Sequence, residues 1–318
     1  MTIRALHMIA VIVLAACTPA TPSATASLAP SASPTPIATT ALPASGSIAD
    51  LGAKFRYDAS TPLATREVST ARTGSVAASE IEYANARGGI AKATLFVPDG
   101  ASRRPAIVMS PGSNQPREQL SSEGLGLARD LGAIVLVIDQ SQIAMHRERI
   151  WTFTAQDREE AIESVVDLLR GVDLLAARSD VDTTRVALHG FSYGSWLSAM
   201  AAAVDRRLTT VVLRSGGPQI LPQLAGAARA ADATFGPYLK LMATVDQSKY
   251  AAALPATTGV LLQNGTADAT YTADEVRAWH ASVSGVKTAR LYEGAGHGLD
   301  AAADADRLAF LRERLGTR

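Results

Sequence analysis

Apolar residues follow two alternating patterns along this chain. Short unbroken runs, such as 133–138 (Ala-Ile-Val-Leu-Val-Ile), predict strands buried on both faces. Runs at 105–110, 185–189, 209–213, 259–263 and 287–292 predict further strands, and 89–98 predicts one ending in a Val-Pro-Asp-Gly turn. Between them, apolar residues recur at three- and four-residue steps, the spacing of one helix face. Ile162, Val165, Val166 and Leu169 form such a stripe in a helix predicted near 157–177, with Asp157 and Glu160 as its opening cap. Leu197, Met200, Ala201 and Val204 form another, directly after the 185–189 strand. Thr272 with Glu275 is a capping box ahead of Val276, Trp279 and Val283. Leu308, Leu311 and Leu315 mark a last helix. Strands that alternate with helices predict a mostly parallel sheet covered on both faces. Residues 216–255 interrupt the alternation and carry Pro218, Pro222, Phe235, Tyr238, Leu241 and Met242. They predict a small helical cap, and the alternative is a set of surface helices packed on the sheet.

The ends of the chain change the picture on one side only. Arg4 and the apolar run Met8 to Ala16 read as a secretory signal, too short to span a bilayer. Leu14-Ala15-Ala16-Cys17 resembles the bacterial lipobox, whose cysteine is lipidated and becomes the first mature residue. Cys17 is the sole cysteine, so no internal disulfide is possible. Thr18, where some such proteins have Asp, resembles the signal for transfer to the outer membrane in a Gram-negative host; an extracytoplasmic, membrane-anchored protein is expected. Residues 18–47 are almost wholly Ala, Ser, Thr and Pro and predict an extended tether. The remainder, 48–318, is long enough for one large α/β domain. Thirty basic and thirty acidic side chains give no net charge, and no basic block appears, so nucleic acid is not an expected partner. No metal-ligand cluster or dinucleotide fingerprint stands out, so neither metal nor other cofactor is expected. Oligomeric state is not legible.

The chemistry lies at the ends of the predicted strands. Gly190-Phe191-Ser192-Tyr193-Gly194 sits between a strand and a helix, the context of a nucleophile elbow. Serine is a poor nucleophile unless a base activates it and a third group orients that base. His297, in Gly294-Ala295-Gly296-His297-Gly298, is the candidate base. Asp268, closing Asn264-Gly265-Thr266-Ala267-Asp268, is the candidate acid, although that stretch is also ordinary turn chemistry. The other histidines fit less well. His7 lies in the leader, His189 ends the strand before the elbow, and His280 lies inside the helix capped by Thr272. His146 follows a strand and could line a pocket with Trp151 and the cap. Asp300 is expected to cap the last helix, and Asp274 to sit in the first turn of its own. An oxyanion would be held by the backbone N–H groups of Tyr193 and, from the loop Pro111-Gly112-Ser113-Asn114, of Ser113.

The order Ser192, Asp268, His297 and these loops resemble the α/β-hydrolase superfamily, and most closely its dienelactone hydrolase and prolyl-oligopeptidase-like branch, from about Ser75 to Leu315. Four segments carry the resemblance: 89–98 with its turn, the Ser-Pro-Gly-Ser loop, Val181-Asp182-Thr183-Thr184-Arg185, and Gly-Ala-Gly-His-Gly. Many hydrolases have His-Gly where this chain has Pro111-Gly112, a departure that leaves the required backbone amide in place. The resemblance implies an α/β-hydrolase fold and a serine nucleophile acting on esters, thioesters or amides without a metal. Hydrolysis of carboxylic esters with small or medium acyl groups is the first expectation. A prolyl-oligopeptidase-like peptidase is the second, weakened because the chain is short for an added propeller domain. A surface lipoprotein that binds a small-molecule ligand without turnover is the third.

Overall fold

A computed structural model describes residues 48–100, 102–141 and 151–317; Cys17 and His146 lie outside them. Nine strands form one sheet: β1 Arg66–Thr73, β2 Val76–Ala84, β3 Ile90–Pro98, β4 Arg104–Ser110, β5 Ile134–Ile138, β6 Val181–Phe191, β7 Leu208–Arg214, β8 Gly259–Gly265 and β9 Val286–Tyr292. Their spatial order is β1-β2-β3-β5-β4-β6-β7-β8-β9. The first three strands and the β3–β5 junction pair antiparallel, and every later junction is parallel. The helices are α1 Ile48–Ala53, α2 Ser121–Leu131, α3 Ala155–Ala176, α4 Tyr193–Val204, α5 Leu221–Ala230, α6 Phe235–Met242, α7 Gln247–Ala251, α8 Ala273–Ser282 and α9 Ala301–Leu315. The mostly parallel sheet is the one expected from the alternation, and its order is that of the α/β-hydrolase fold that the resemblance implied.

The unbroken apolar runs explain why both faces are covered. Side chains alternate across a strand. On β5, Ile134, Leu136 and Ile138 join one buried cluster, with α3, α4, α7 and α8. Val135 and Val137 join the other, with α2 and α9 through Leu127, Leu131, Leu311 and Leu315. On β4, Ala106 and Val108 divide from Ile107 and Met109 in the same way.

Several local expectations hold. Thr272 and Glu275 make the reciprocal capping box of α8, and Asp300 caps α9 by accepting from the Ala303 N–H at 3.1 Å. Two do not. The cap of α3 is Thr154, whose side chain accepts from the Gln156 N–H; Asp157 lies one turn further in, and its carboxylate is occupied elsewhere. Helix α4 is buried from Tyr193 to Ala203, not along one stripe, because α3 and α7 flank it.

The interruption at 216–255 is helical. α6 packs on α3, α7 packs on α4, and Tyr250 meets Phe55. α5 is broken at Gly226 (φ 71°, ψ 168°) and buries Leu221 alone. The described contacts join this segment to the covering helices α3 and α4. A strong link runs through Asp157, which accepts from the N–H groups of Thr152 and Phe153 (2.8 Å each), the Thr152 hydroxyl (2.6 Å) and the Tyr238 hydroxyl of α6 (2.9 Å).

Candidate active site

Strand β6 enters the sheet's interior and ends at Phe191, and α4 starts at Tyr193, so a single residue must make the turn. That residue, Ser192, has φ 54° and ψ −117°, a conformation costly for any side chain but glycine. The cost is met because the surroundings determine it. The Ser192 N–H donates to the Arg214 carbonyl of β7 (2.8 Å), and the Ser192 carbonyl accepts from the Ser195 N–H (2.9 Å). The two glycines are needed for close approach. A Cβ at Gly190 would overlap the Gly194 carbonyl, and one at Gly194 would overlap the carbonyls of Ser110 and Pro111. The turn therefore packs against the end of β4, with the Ser192 side chain only half-buried.

The loops after β8 and β9 bring the partners. His297 Nε2 lies 2.9 Å from Ser192 Oγ, and Nδ1 lies 2.8 Å from Asp268 Oδ2. The Asp268 side chain is fully buried, while the histidine ring keeps 29% of its exposure. Burial alone would raise the Asp268 carboxyl. Hydrogen bonds from His297 and from the Thr270 and Tyr271 N–H groups outweigh it, and the carboxyl is held below its ordinary value. The Thr270 N–H occupies Oδ1 at 2.7 Å, so Asp268 is both the turn residue and the histidine's partner. An ionised carboxylate can only accept, so Nδ1 carries the proton and Nε2 is left to accept from Ser192 Oγ.

The histidine loop is anchored on two sides. Toward β8, the Ala267 N–H donates to the Ala295 carbonyl (3.0 Å). Toward β7, Ser215 Oγ donates to the His297 carbonyl (2.6 Å) and Arg214 Nη2 donates to the Gly298 carbonyl (2.7 Å). The Phe191 ring lies between, 5.4 Å from the imidazole centroid and 4.6 Å from the Arg214 guanidinium.

The structure places the Tyr193 N–H in the first turn of α4, where helix amides have no intrahelical acceptor. Ser113 follows Gly112, beside which the Phe191 ring packs, and Gln140 donates to the Pro111 carbonyl. The loop with the candidate amide thus adjoins the elbow. His189 is fully buried, and burial with Arg307 and Arg214 nearby holds its imidazole well below the ordinary value. His280 meets the Asn264 side chain at 2.9 Å and is lowered by burial to about 4. Both are structural. Trp151 stands edge-on to the Tyr193 ring at 5.4 Å, with Trp196 beside both; the Trp196 indole donates to the Tyr271 hydroxyl (3.1 Å). Sequence reasoning missed Arg214, Ser215 and Tyr271. For Arg214 and Ser215 only their place at the end of β7 could have suggested them, and for Tyr271 only its place just before the cap of α8.

Residues 120–317 match the prolyl oligopeptidase family. Among solved structures, the chain resembles acetyl xylan esterase 1 from Thermoanaerobacterium sp. JW/SL YS485 (TM-score 0.71, 16% identity, 86% of this chain and 95% of that one). It also resembles an acetyl xylan esterase from Paenibacillus sp. R4 (TM-score 0.68, 16% identity, 84% and 93%). A third is a putative dienelactone hydrolase from Klebsiella pneumoniae subsp. pneumoniae (TM-score 0.58, 15% identity, 76% and 99%). No curated protein matches in sequence.

Proposed function

The chain belongs to the prolyl oligopeptidase family, and on that premise we propose that it is a serine hydrolase cleaving carboxylic esters of small or medium acyl groups. The observation that carries this is the His297 ring, hydrogen-bonded on one side to Ser192 and on the other to a buried, ionised Asp268. Ser192 Oγ attacks the ester carbonyl as His297 Nε2 takes its proton. Asp268 holds the tautomer this requires and stabilises the imidazolium. Charge gathers on the carbonyl oxygen, where the Tyr193 and Ser113 amides would receive it. The imidazolium returns its proton to the departing alkoxide, leaving acyl-Ser192 and the alcohol. Water then attacks the acyl carbon with His297 again as base, which releases the acid and restores the hydroxyl.

The esters named for the similar solved structures support ester over peptide as substrate. Ser192→Ala should abolish hydrolysis of p-nitrophenyl acetate and butyrate and fluorophosphonate labelling; unchanged turnover would refute the assignment. A panel pairing each ester with its peptide counterpart separates ester hydrolase from peptidase. A lipid anchor at Cys17 belongs to the same proposal and rests on the lipobox-like Leu14-Ala15-Ala16-Cys17. Cys17→Ala should move the protein from the membrane to the soluble fraction, and retention on the membrane counts against the anchor.

A further inference from the structure

The end of β7 contributes no member to the Ser192–His297–Asp268 set, yet it touches two of the three. The Arg214 carbonyl accepts from the Ser192 N–H at 2.8 Å, and it lies 2.7 Å from the Ser195 hydroxyl. The Arg214 guanidinium donates to the Gly298 carbonyl (2.7 Å), and the next side chain, Ser215 Oγ, donates to the His297 carbonyl (2.6 Å). Two consecutive residues thus hold two consecutive carbonyls of the histidine loop, while the same backbone holds the nucleophile. The arginine is itself fixed. Glu123 of α2 binds Arg214 Nη1 at 2.8 Å through one oxygen and Arg307 Nε of α9 at 2.7 Å through the other. Ser215 has φ 51°, a left-handed conformation that a serine adopts at a cost, and its side chain is fully buried. The Asp268 side of the loop has its own anchor through Ala267 and Ala295.

We infer that Arg214 and Ser215 are positioning residues which set the distance from His297 Nε2 to Ser192 Oγ, independently of the His297–Asp268 bond. The inference rests on the serine hydrolase reading, in which only a well-aimed Nε2 can take the serine proton. Loss of the Ser215 hydroxyl frees the carbonyl of the catalytic histidine, and a displacement near 1 Å costs on the order of 10²-fold in such a geometry. The effect belongs to kcat, because the two side chains are engaged with the histidine loop and Ser215 is fully buried.

The test is a double-mutant cycle on the full-length protein with p-nitrophenyl acetate. Ser215→Gly removes the hydroxyl and suits the left-handed backbone. It should lower kcat about tenfold or more, with KM within about twofold of the parent. In the His297→Ala background, whose residual turnover no longer uses the imidazole, the same change should alter kcat less than twofold. Arg214→Lys keeps a cation beside Glu123 but cannot serve two acceptors as a fork. It should repeat the pattern with its thermal midpoint retained. Equal losses in both backgrounds, a loss confined to KM, or no loss in either variant overturns the positioning role. Full activity in His297→Ala alone sinks the hydrolase reading itself, a distinct result.

Discussion

Replacing Asp268 by Asn changes one atom in a fully buried side chain, so fold and volume are kept. The surroundings dictate how the amide orients. Oδ1 accepts from the fixed Thr270 N–H at 2.7 Å, a position only the amide oxygen can fill. The NH2 then faces His297 Nδ1, 2.8 Å from the present Oδ2, and donates to it. Nδ1 becomes an acceptor, the ring proton moves to Nε2, and Nε2 can no longer take a proton from Ser192. The imidazolium formed during attack also loses its counter-charge. The same exchange in the serine-protease template costs about 10⁴ in kcat, which is about 5.4 kcal/mol of transition-state stabilisation. The assay is p-nitrophenyl acetate hydrolysis at pH 7.5, with circular dichroism and fluorophosphonate labelling rates alongside. KM should change little, since no substrate contact is lost. A loss below tenfold, with the fold intact, would refute both the tautomer argument and the choice of Asp268.

Two further predictions concern stability. Asp157→Ala leaves the Thr152 and Phe153 N–H groups and the Tyr238 hydroxyl without their acceptor, and should cost about 3 kcal/mol in urea unfolding; a cost under about 1 kcal/mol would show that water replaces the carboxylate. His280 is lowered by burial to about 4, from 6.5 when unfolded, so the unfolded chain binds more protons between those values. Its contribution is complete above pH 6.5 and is lost as pH falls toward 4, the loss reaching roughly 2–3 kcal/mol by pH 4.5. His280→Gln, which can still meet Asn264, should flatten urea stability between pH 4.5 and 7, and an unchanged slope would exclude this histidine as its source.

The parallel half of the sheet was legible because each of β4 to β8 carries a short apolar run buried on both faces, at 106–109, 134–138, 186–188, 211–213 and 260–262. Strand β1 was not legible: all eight of its residues are exposed, so nothing selects an alternating pattern. Strand β2 was missed although its burial alternates, because Ala, Ser and Glu fill many of its positions. The elbow and the two partner loops could be read because their residue types are scarce and their order is informative. The Arg214 and Ser215 contacts could not, since they depend on one left-handed φ and on loops distant in sequence. The Asp157 side chain was misjudged for a related reason. A carboxylate at a helix start reads as a cap, and only the tertiary structure shows that its acceptors serve the preceding loop and α6.

The root of the helical segment has a consequence for re-engineering. The segment leaves the body at Gly216, whose carbonyl accepts from Asn264 of β8 (2.8 Å), and closes on itself where Gln247 reaches the Gly217 carbonyl (2.9 Å). Residues between those two staples form a replaceable cassette, inserted one position beyond Ser215. Grafts that respect both joints, keep a hydroxyl for Asp157 where Tyr238 stands and refill the core positions of Leu221, Phe235 and Met242 would leave the reacting groups undisturbed. A graft begun two residues earlier would discard the side chains holding the histidine loop, and its failure would be misread as an incompatible substrate pocket.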